Sequence, residues 1–554
     1  MHMASSSNSM EVLPLATASP PVLLSFEELL NEAGGFGKFQ LRIILILSLV
    51  RIIVPLHFLQ HNFISAVPPH HCTIPNHRRP DNRSHEDLLL INLPQNPDGS
   101  FSSCEMFSKP LQNTSQGEDH STVHSCDQGW EYDRSMFSST TVTQWDLVCE
   151  RKGLSHLLAT FFFIGVMLGS VVFGYLSDRF GRRSMLLLSW VLSLVFGGLS
   201  AASVSYPMAV ICLTLSGLSL CGMHGIVIVL CFEWVDLQHR TAAGIFTSIG
   251  WSIGTALLAL ITYLVRDWRW LMVSITAPCL LGIASVWWLS ESPRWLLSKG
   301  FIERGEKELM QCAAMNGKKL NSFTENKENI QKLVDSLGSS STNYSYFDLF
   351  RTPRLRRISL CAGLSWIGLA FSYYGINLNI SGFGLSIYLT QFLYALVEVP
   401  ARVGGYLLLN YLGNRRTEVF TVLMTGACLG ANVFIPADKG PLRTTFAVLG
   451  KGFAEASFCV IYMHTCELYP TVIRQSGIGY TAFLARFGVI LATLLKLLDN
   501  IWPPLSQLVI CITMVVCGLI VNLLPETHNT RLPDFISDVE DSKSAAGRSD
   551  ETRA

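Results

Sequence analysis

Gly174-Tyr175-Leu176-Ser177-Asp178-Arg179-Phe180-Gly181-Arg182-Arg183 is the stretch that decides the fold. An apolar run of about twenty residues lies on each side, long enough to cross roughly 30 Å of hydrocarbon as a helix. Lipid offers no partners for backbone polar groups, so such runs must be helical. The decapeptide between them holds two glycines, one acid and three arginines. It reads as a short loop between two membrane helices, retained on the cytoplasmic side by its arginines.

The rest of the chain follows the same logic. Its 554 residues are 49% hydrophobic and only 15% charged, with a mean hydropathy of +0.35. Soluble domains carry about 25% charged residues. Apolar windows predict twelve spans. The first runs from about Leu41 to Phe63, and five follow near 154–176, 185–203, 207–230, 241–264 and 269–289. Six more fall near 358–380, 385–409, 418–436, 443–465, 475–497 and 503–524. The expected organisation is a cytoplasmic N-terminus (1–40), a first six-helix bundle (41–289), a linker (290–357), a second bundle (358–524) and a cytoplasmic tail (525–554). Six spans, a polar gap and six more suggest a duplicated transporter architecture.

Basic residues set the orientation. Arg179, Arg182 and Arg183 lie between helices 2 and 3, and Arg240 lies between 4 and 5. Arg415 and Arg416 lie between helices 8 and 9, Arg474 between 10 and 11, and twelve Lys or Arg in the linker. All share one side, which is expected to be cytoplasmic. The opposite side carries a large loop, 64–148, with Cys72, Cys104 and Cys126, and Cys149 just beyond it. Four cysteines in an oxidising compartment suggest two disulfides, with three connectivities open. Asn82-Arg83-Ser84 and Asn113-Thr114-Ser115 are glycosylation sequons in the same loop. The remaining cysteines have no metal-ligand spacing, so no metal or cofactor is expected. No basic tract interleaved with aromatics points to nucleic acid. No H-E-x-x-H points to a metalloenzyme, and no G-x-x-x-x-G-K-[ST] to an ATP-driven pump.

The opening decapeptide resembles the G-x-x-x-D-R-x-G-R-R signature of the major facilitator superfamily. Gly174 and Gly181 are expected to allow close helix approach and a sharp turn. Asp178 is expected to pair with a base or cap a helix, and the arginines to bridge to the other bundle. A degenerate copy, Leu412-Gly413-Asn414-Arg415-Arg416, sits at the corresponding place in the second half, with Asn410 where the acid would be. Glu291-Ser292-Pro293-Arg294 follows helix 6, Glu467-Leu468-Tyr469-Pro470 follows helix 10, and Glu233 and Arg240 flank the loop after helix 4. Together with Arg474 these residues form the expected gate.

These motifs, with Trp130 and the Trp145-Asp146-Leu147-Val148-Cys149 end of the outer loop, resemble the organic-ion transporter family. The organic anion branch is favoured. The resemblance implies a plasma-membrane carrier, basolateral in epithelia, taking small carboxylate, nucleotide-like or drug-like anions. A dicarboxylate would be the counter-substrate. Carriage of cations or neutral zwitterions is the alternative. Helix 4 departs from many facilitators by having Leu213 where an arginine would precede Gly217, which argues against proton symport.

Intramembrane charge supports the anion reading, since it is costly and tends to face a cavity or a partner. Glu398 and Arg402 are four residues apart in helix 8, and Lys451 and Glu455 repeat the spacing in helix 10, so each pair shares a helical face. Arg486 in helix 11 has no local acid, and is expected to meet the substrate carboxylate, with Arg402 as the substitute should Arg486 be paired. The resemblance adds Tyr373, Tyr374 and Trp366 in helix 7, and His57 and Asn62 in helix 1. Arg51 reads as a structural residue of the cytoplasmic half.

Overall fold

The computed structural model describes residues 26–75, 84–96, 99–108, 110, 122–236, 238–320, 330–335, 346–378, 386–436, 439–470, 473–500, 502, 504–527, 536–537 and 539–540. Asn82 and Asn113 lie outside the described residues, as do most of the two termini. Twelve helices among them are long and apolar enough to cross a membrane. Helix 1 spans Lys38–Ile64 and helix 6 spans Trp268–Trp288, both with internal breaks. Between them run helix 2 (Lys152–Phe180), helix 3 (Arg182–Ala201), helix 4 (Tyr206–Trp234) and helix 5 (Arg240–Leu264). The second half holds helix 7 (Pro353–Leu378), helix 8 (Ile387–Leu412) and helix 9 (Asn414–Phe434). Helix 10 (Gly440–Leu468), helix 11 (Arg474–Leu494) and helix 12 (Leu505–Asn522) complete it.

Several helices outrun their apolar windows. Helix 2 continues through Asp178 to Phe180, so most of the decapeptide is helix and the turn is confined to Gly181. Charged residues at the end of a span can be solvated without interrupting the i→i−4 hydrogen bonds. Gly181 has φ +99°, and its counterpart Gly413 has φ +86°, a region that costs other residues energy and glycine little.

Packing repeats between halves. Helix 1 lies on 5, and 2 and 3 on 4; likewise 7 lies on 11, and 8 and 9 on 10. The bundles meet where helix 5 touches 8 and helix 2 touches 11, contacts that exchange under the same repeat. Lipid supplies no hydrophobic drive between helices, so close approach of small residues does much of the work. A Cβ on Gly165 or Gly169 of helix 2, or on Gly217 of helix 4, would overlap a backbone carbonyl of the facing helix. Gly174, expected to serve the same purpose, has nothing within 4 Å of an added Cβ and faces outward.

The loop after helix 1 forms a small subdomain at what is here termed the disulfide end. His70–Cys72 pairs with Trp130–Tyr132, and Glu105–Phe107 with Val123–Ser125, both antiparallel. The bridges are Cys72–Cys126 and Cys104–Cys149, with Cα separations of 5.1 and 5.7 Å. This selects one of the three connectivities. The double variant Cys104→Ser/Cys149→Ser is expected to lose about 2–4 kcal/mol of subdomain stability. Limited proteolysis of intact cells checks this: the variant loop is cut faster, and equal resistance would contradict the estimate.

The opposite, motif end carries the loops between helices 2 and 3 and between 8 and 9. Here part of the N-terminal extension lies among the described residues. Phe26–Glu32 forms a helix with Phe26, Leu29 and Leu30 buried, and Glu27 accepts a 2.8 Å hydrogen bond from Arg240.

Candidate functional site

The motif end is built twice, with different chemistry. In the first half Arg182 pairs with Asp178 at 2.9 Å and with Glu233 at 3.1 Å, and donates to the carbonyl of Ser177. Glu291 caps the start of helix 3, accepting from the backbone N–H groups of Arg182 and Arg183. Burial raises the Glu291 pKa, and those amide bonds pull it back down. In the second half Glu526 caps helix 9 through the N–H groups of Asn414 and Arg415, at 3.0 and 3.3 Å. Asn414 replaces Arg182 and hydrogen-bonds Glu467, the counterpart of Glu233. An ion pair in one half has become an amide–carboxylate bond in the other.

Of the two roles expected of Asp178, pairing with a base is the one present, with Arg182 one turn away, and the cap of helix 3 is supplied by Glu291. The described contacts of Arg182 and Arg183 stay within the first bundle and form no bridge to the second. Arg179 bonds Tyr175 Oη at 3.2 Å, and Arg294 lies exposed beside Phe26. Arg415 donates to the carbonyl of Leu524, and Arg474 to that of Tyr469.

Asp178 is 71% exposed, so its pairing is worth at most about 1 kcal/mol. Glu233 is far less exposed and bonds Arg182 through both oxygens. Glu233→Gln is therefore expected to impair turnover several-fold more than Asp178→Asn. Initial uptake rates normalised to surface-labelled protein give the comparison; the reverse ranking would sink it.

At the disulfide end the bundles are fastened together. Asn62 Nδ2 donates to the carbonyl of Asn377 at 2.7 Å. The hydroxyls of Thr160 and Thr493 share a 2.8 Å hydrogen bond. Tyr388 donates to the carbonyl of Met136 and stacks on Phe63. Asn62 thus sits at a seal between the two halves.

Deeper in, the intramembrane charges sort into two groups. One is compensated. Arg402 lies 2.6 Å from Glu455 and 3.5 Å from Glu398, and Lys451 lies 3.1 Å from each of the same two acids. Ser252 donates to Glu398, and Arg402 donates to the Ser248 carbonyl, which ties helix 5 to helix 8. Two cations and two anions cancel. Tyr373 belongs to this group, with the Lys451 ammonium 3.8 Å from its ring centroid.

The second group has cations that form no ion pair with an acid among the described residues. Arg486 makes no ion pair among the described residues and is half-buried. It lies within electrostatic range of Tyr374, His224 and Cys221. Arg51 reaches the same place from helix 1, with Nη1 3.0 Å from Nδ1 of His224. A guanidinium has no acceptor, so the imidazole must accept and is held in its neutral form. Aromatic rings surround the group. Phe163 meets Tyr374 edge-on across the bundle interface at 5.5 Å, and Phe58 and Trp251 flank His224. Four helices, 1, 4, 7 and 11, converge on it.

Arg51, expected as a structural residue of the cytoplasmic half, lies against His224 of helix 4, which carried no signal of its own in the sequence. His57 is fully buried. Its ring lies against the backbone of Ile275 in helix 6, inside the first bundle. Trp366 donates to Thr465 Oγ1 at 2.8 Å and packs edge-on against Phe458, within the second bundle.

Comparison with known proteins gives the family and the fold. The family described as "Sugar (and other) transporter" matches residues 99–535. Solute carrier family 22 member 7 of Homo sapiens is 48% identical over 533 residues, 93% of this chain and 96% of the relative. Member 7 of Rattus norvegicus is 45% identical over 529 residues, 93% and 98% of the two chains. Member 6 of Danio rerio is 34% identical over 529 residues, 94% of each. Among solved structures, the inward open xylose transporter XylE from E. coli superposes with a TM-score of 0.61 at 15% identity, covering 91% of this chain and 99% of that one. That likeness concerns the fold alone.

Proposed function

We propose that this chain, which belongs to solute carrier family 22 within the sugar (and other) transporter family, is a plasma-membrane carrier of small organic anions working by alternating access. The motif end is then cytoplasmic and the disulfide end extracellular, in keeping with the basic residues of the connecting loops. The observation that carries the reading is charge balance. Glu398, Arg402, Lys451 and Glu455 neutralise one another, whereas Arg51 and Arg486 lie near Tyr374 and His224 and form no ion pair among the described residues; Glu455, which also acts on Tyr374, is already held by Arg402 and Lys451.

An anion entering between the bundles supplies the missing negative charge. The Arg486 guanidinium can grip a carboxylate or phosphate through two parallel N–H bonds. Tyr374, Phe163 and Trp251 offer faces and edges to a planar organic body, a contact tolerant of shape and so suited to many substrates. In the captured geometry the extracellular seal at Asn62–Asn377 and Thr160–Thr493 is closed. Opening outward requires those bonds to part while the paired turns at Gly181 and Gly413 rearrange. Two unlike latches make the two bundles unequal partners in that motion. A dicarboxylate counter-substrate and a basolateral position complete the reading.

Uptake of labelled aromatic carboxylates into expressing cells, with and without preloaded glutarate, tests the function. Saturable uptake stimulated by internal glutarate supports exchange, and saturable uptake without stimulation supports uniport. Selective uptake of organic cations with none of anions would overturn the proposal.

A further inference from the structure

A cleft of about 610 Å³ opens at the motif end of the first bundle, apart from the site between the bundles. It lies between the start of helix 1, the helix 2–3 turn, the end of helix 6 and a linker helix, Ile302–Asn316. Four cations line it: Arg42, Arg183, Arg304 and Lys307. Two acids stand among them. Glu291 is occupied by the backbone N–H groups of Arg182, Arg183 and Ser292. Glu308 is hydrogen-bonded by Ser290 and lies within electrostatic range of Arg183, Lys307 and Arg42, while burial, the largest influence on it, raises its pKa; its Oε2 is buried with no hydrogen-bond partner among the described residues. Arg42 Nε is buried with no hydrogen-bond partner among the described residues. The cleft therefore has surplus positive charge, four cations to two acids, with one buried donor and one buried acceptor open to a ligand.

Its rim is aromatic. Trp287 and Trp288, at the end of helix 6, are 71% and 63% exposed, and adjacent exposed tryptophans there fit the boundary between hydrocarbon and headgroups. We propose that this cleft binds the phosphate headgroup of an anionic phospholipid of the inner leaflet, its acyl chains passing the two tryptophans. The placement in the inner leaflet rests on the cytoplasmic assignment of the motif end. Basic pockets between membrane helices on that side suit such headgroups. A soluble phosphate shares the headgroup chemistry but leaves two adjacent tryptophans at the rim without a purpose. Arg183 and Glu291 belong to both the cleft and the helix 2–3 turn, so an occupied cleft bears directly on that latch.

The test uses the purified full-length protein and native mass spectrometry with dioctanoyl phosphatidylinositol 4,5-bisphosphate, dioctanoyl phosphatidylcholine and inorganic phosphate. The anionic lipid is expected to bind in preference to the other two. Arg304→Glu/Lys307→Glu is expected to weaken it at least about tenfold, and Trp287→Ala/Trp288→Ala several-fold. The control pair Arg356→Glu/Arg357→Glu, exposed on the same end of the second bundle, is expected to stay within about twofold, as diffuse surface attraction alone would not distinguish the two pairs. Thermal unfolding checks each variant, and Arg304→Gln/Lys307→Gln replaces the first pair if it fails to fold. Equal losses in the two arginine-containing pairs would mean diffuse surface charge and overturn the site. Inorganic phosphate binding as tightly as the lipid would make the ligand a soluble anion and overturn the lipid assignment.

Discussion

Arg486→Asp is expected to abolish organic anion uptake, lowering it on the order of a hundredfold or more at unchanged surface level. A hydrogen bond to a charged group is worth about 1.5–3 kcal/mol, and the new carboxylate adds like-charge repulsion to that loss. Cation uptake should persist or appear, since aspartate inverts the charge offered between the bundles. Arg486→Lys separates charge from geometry. It keeps the cation but not the planar fork, so partial activity with a raised KM is expected. Surface labelling guards against a trafficking defect. Unchanged anion uptake in a fully surface-expressed Arg486→Asp carrier would remove Arg486 from the site.

The second large effect concerns the compensated cluster. Lys451 and Glu398 are both fully buried and 3.1 Å apart. Lys451→Met leaves Glu398 with only the longer 3.5 Å contact to Arg402 and the hydroxyl of Ser252. Removing one partner of a buried pair costs about 3–5 kcal/mol, whereas removing both is often close to neutral. The single variant is therefore expected to unfold at a clearly lower temperature in detergent, and Lys451→Met/Glu398→Gln to recover most of the difference. If the double variant is as unstable as the two singles added together, the residues do not act as a pair. Tyr373 has lost its cation–π partner in both variants, so the comparison isolates the charge.

Much of this was legible in the sequence. The twelve apolar windows match twelve helices to within about five residues at each end, because span length is set by bilayer thickness and not by local context. The helix ends were harder. Asp178, Glu233 and Glu467 belong to helices, since charge at a span's end ends the apolar window without ending the hydrogen-bonded ladder. The pairings of Glu398 with Arg402 and of Lys451 with Glu455 could be read from i,i+4 spacing, and both are present.

What stayed hidden depends on contacts between distant segments. Arg51 and His224 are 173 residues apart, and no periodicity links helix 1 to helix 4. His464 and Glu418, 2.6 Å apart and buried between helices 10 and 9, gave no hint for the same reason. The Glu291 and Glu526 caps could be found only by aligning the two halves as three-dimensional repeats. The bridges Cys72–Cys126 and Cys104–Cys149 needed the strand pairings that bring their Cα atoms together. His57 looked like a cavity residue by resemblance, yet its helix turns it toward helix 6.

The central claim is that two uncompensated arginines between the bundles make this a carrier of anions. The most direct measurement compares uptake of one labelled aromatic carboxylate with that of its primary amide, using purified protein in liposomes. The two solutes share a shape and differ in charge. A carboxylate preference of about tenfold or more is predicted, the size expected for a charge-assisted contact over a neutral one. Equal uptake of the two, or preference for the amide, would contradict it.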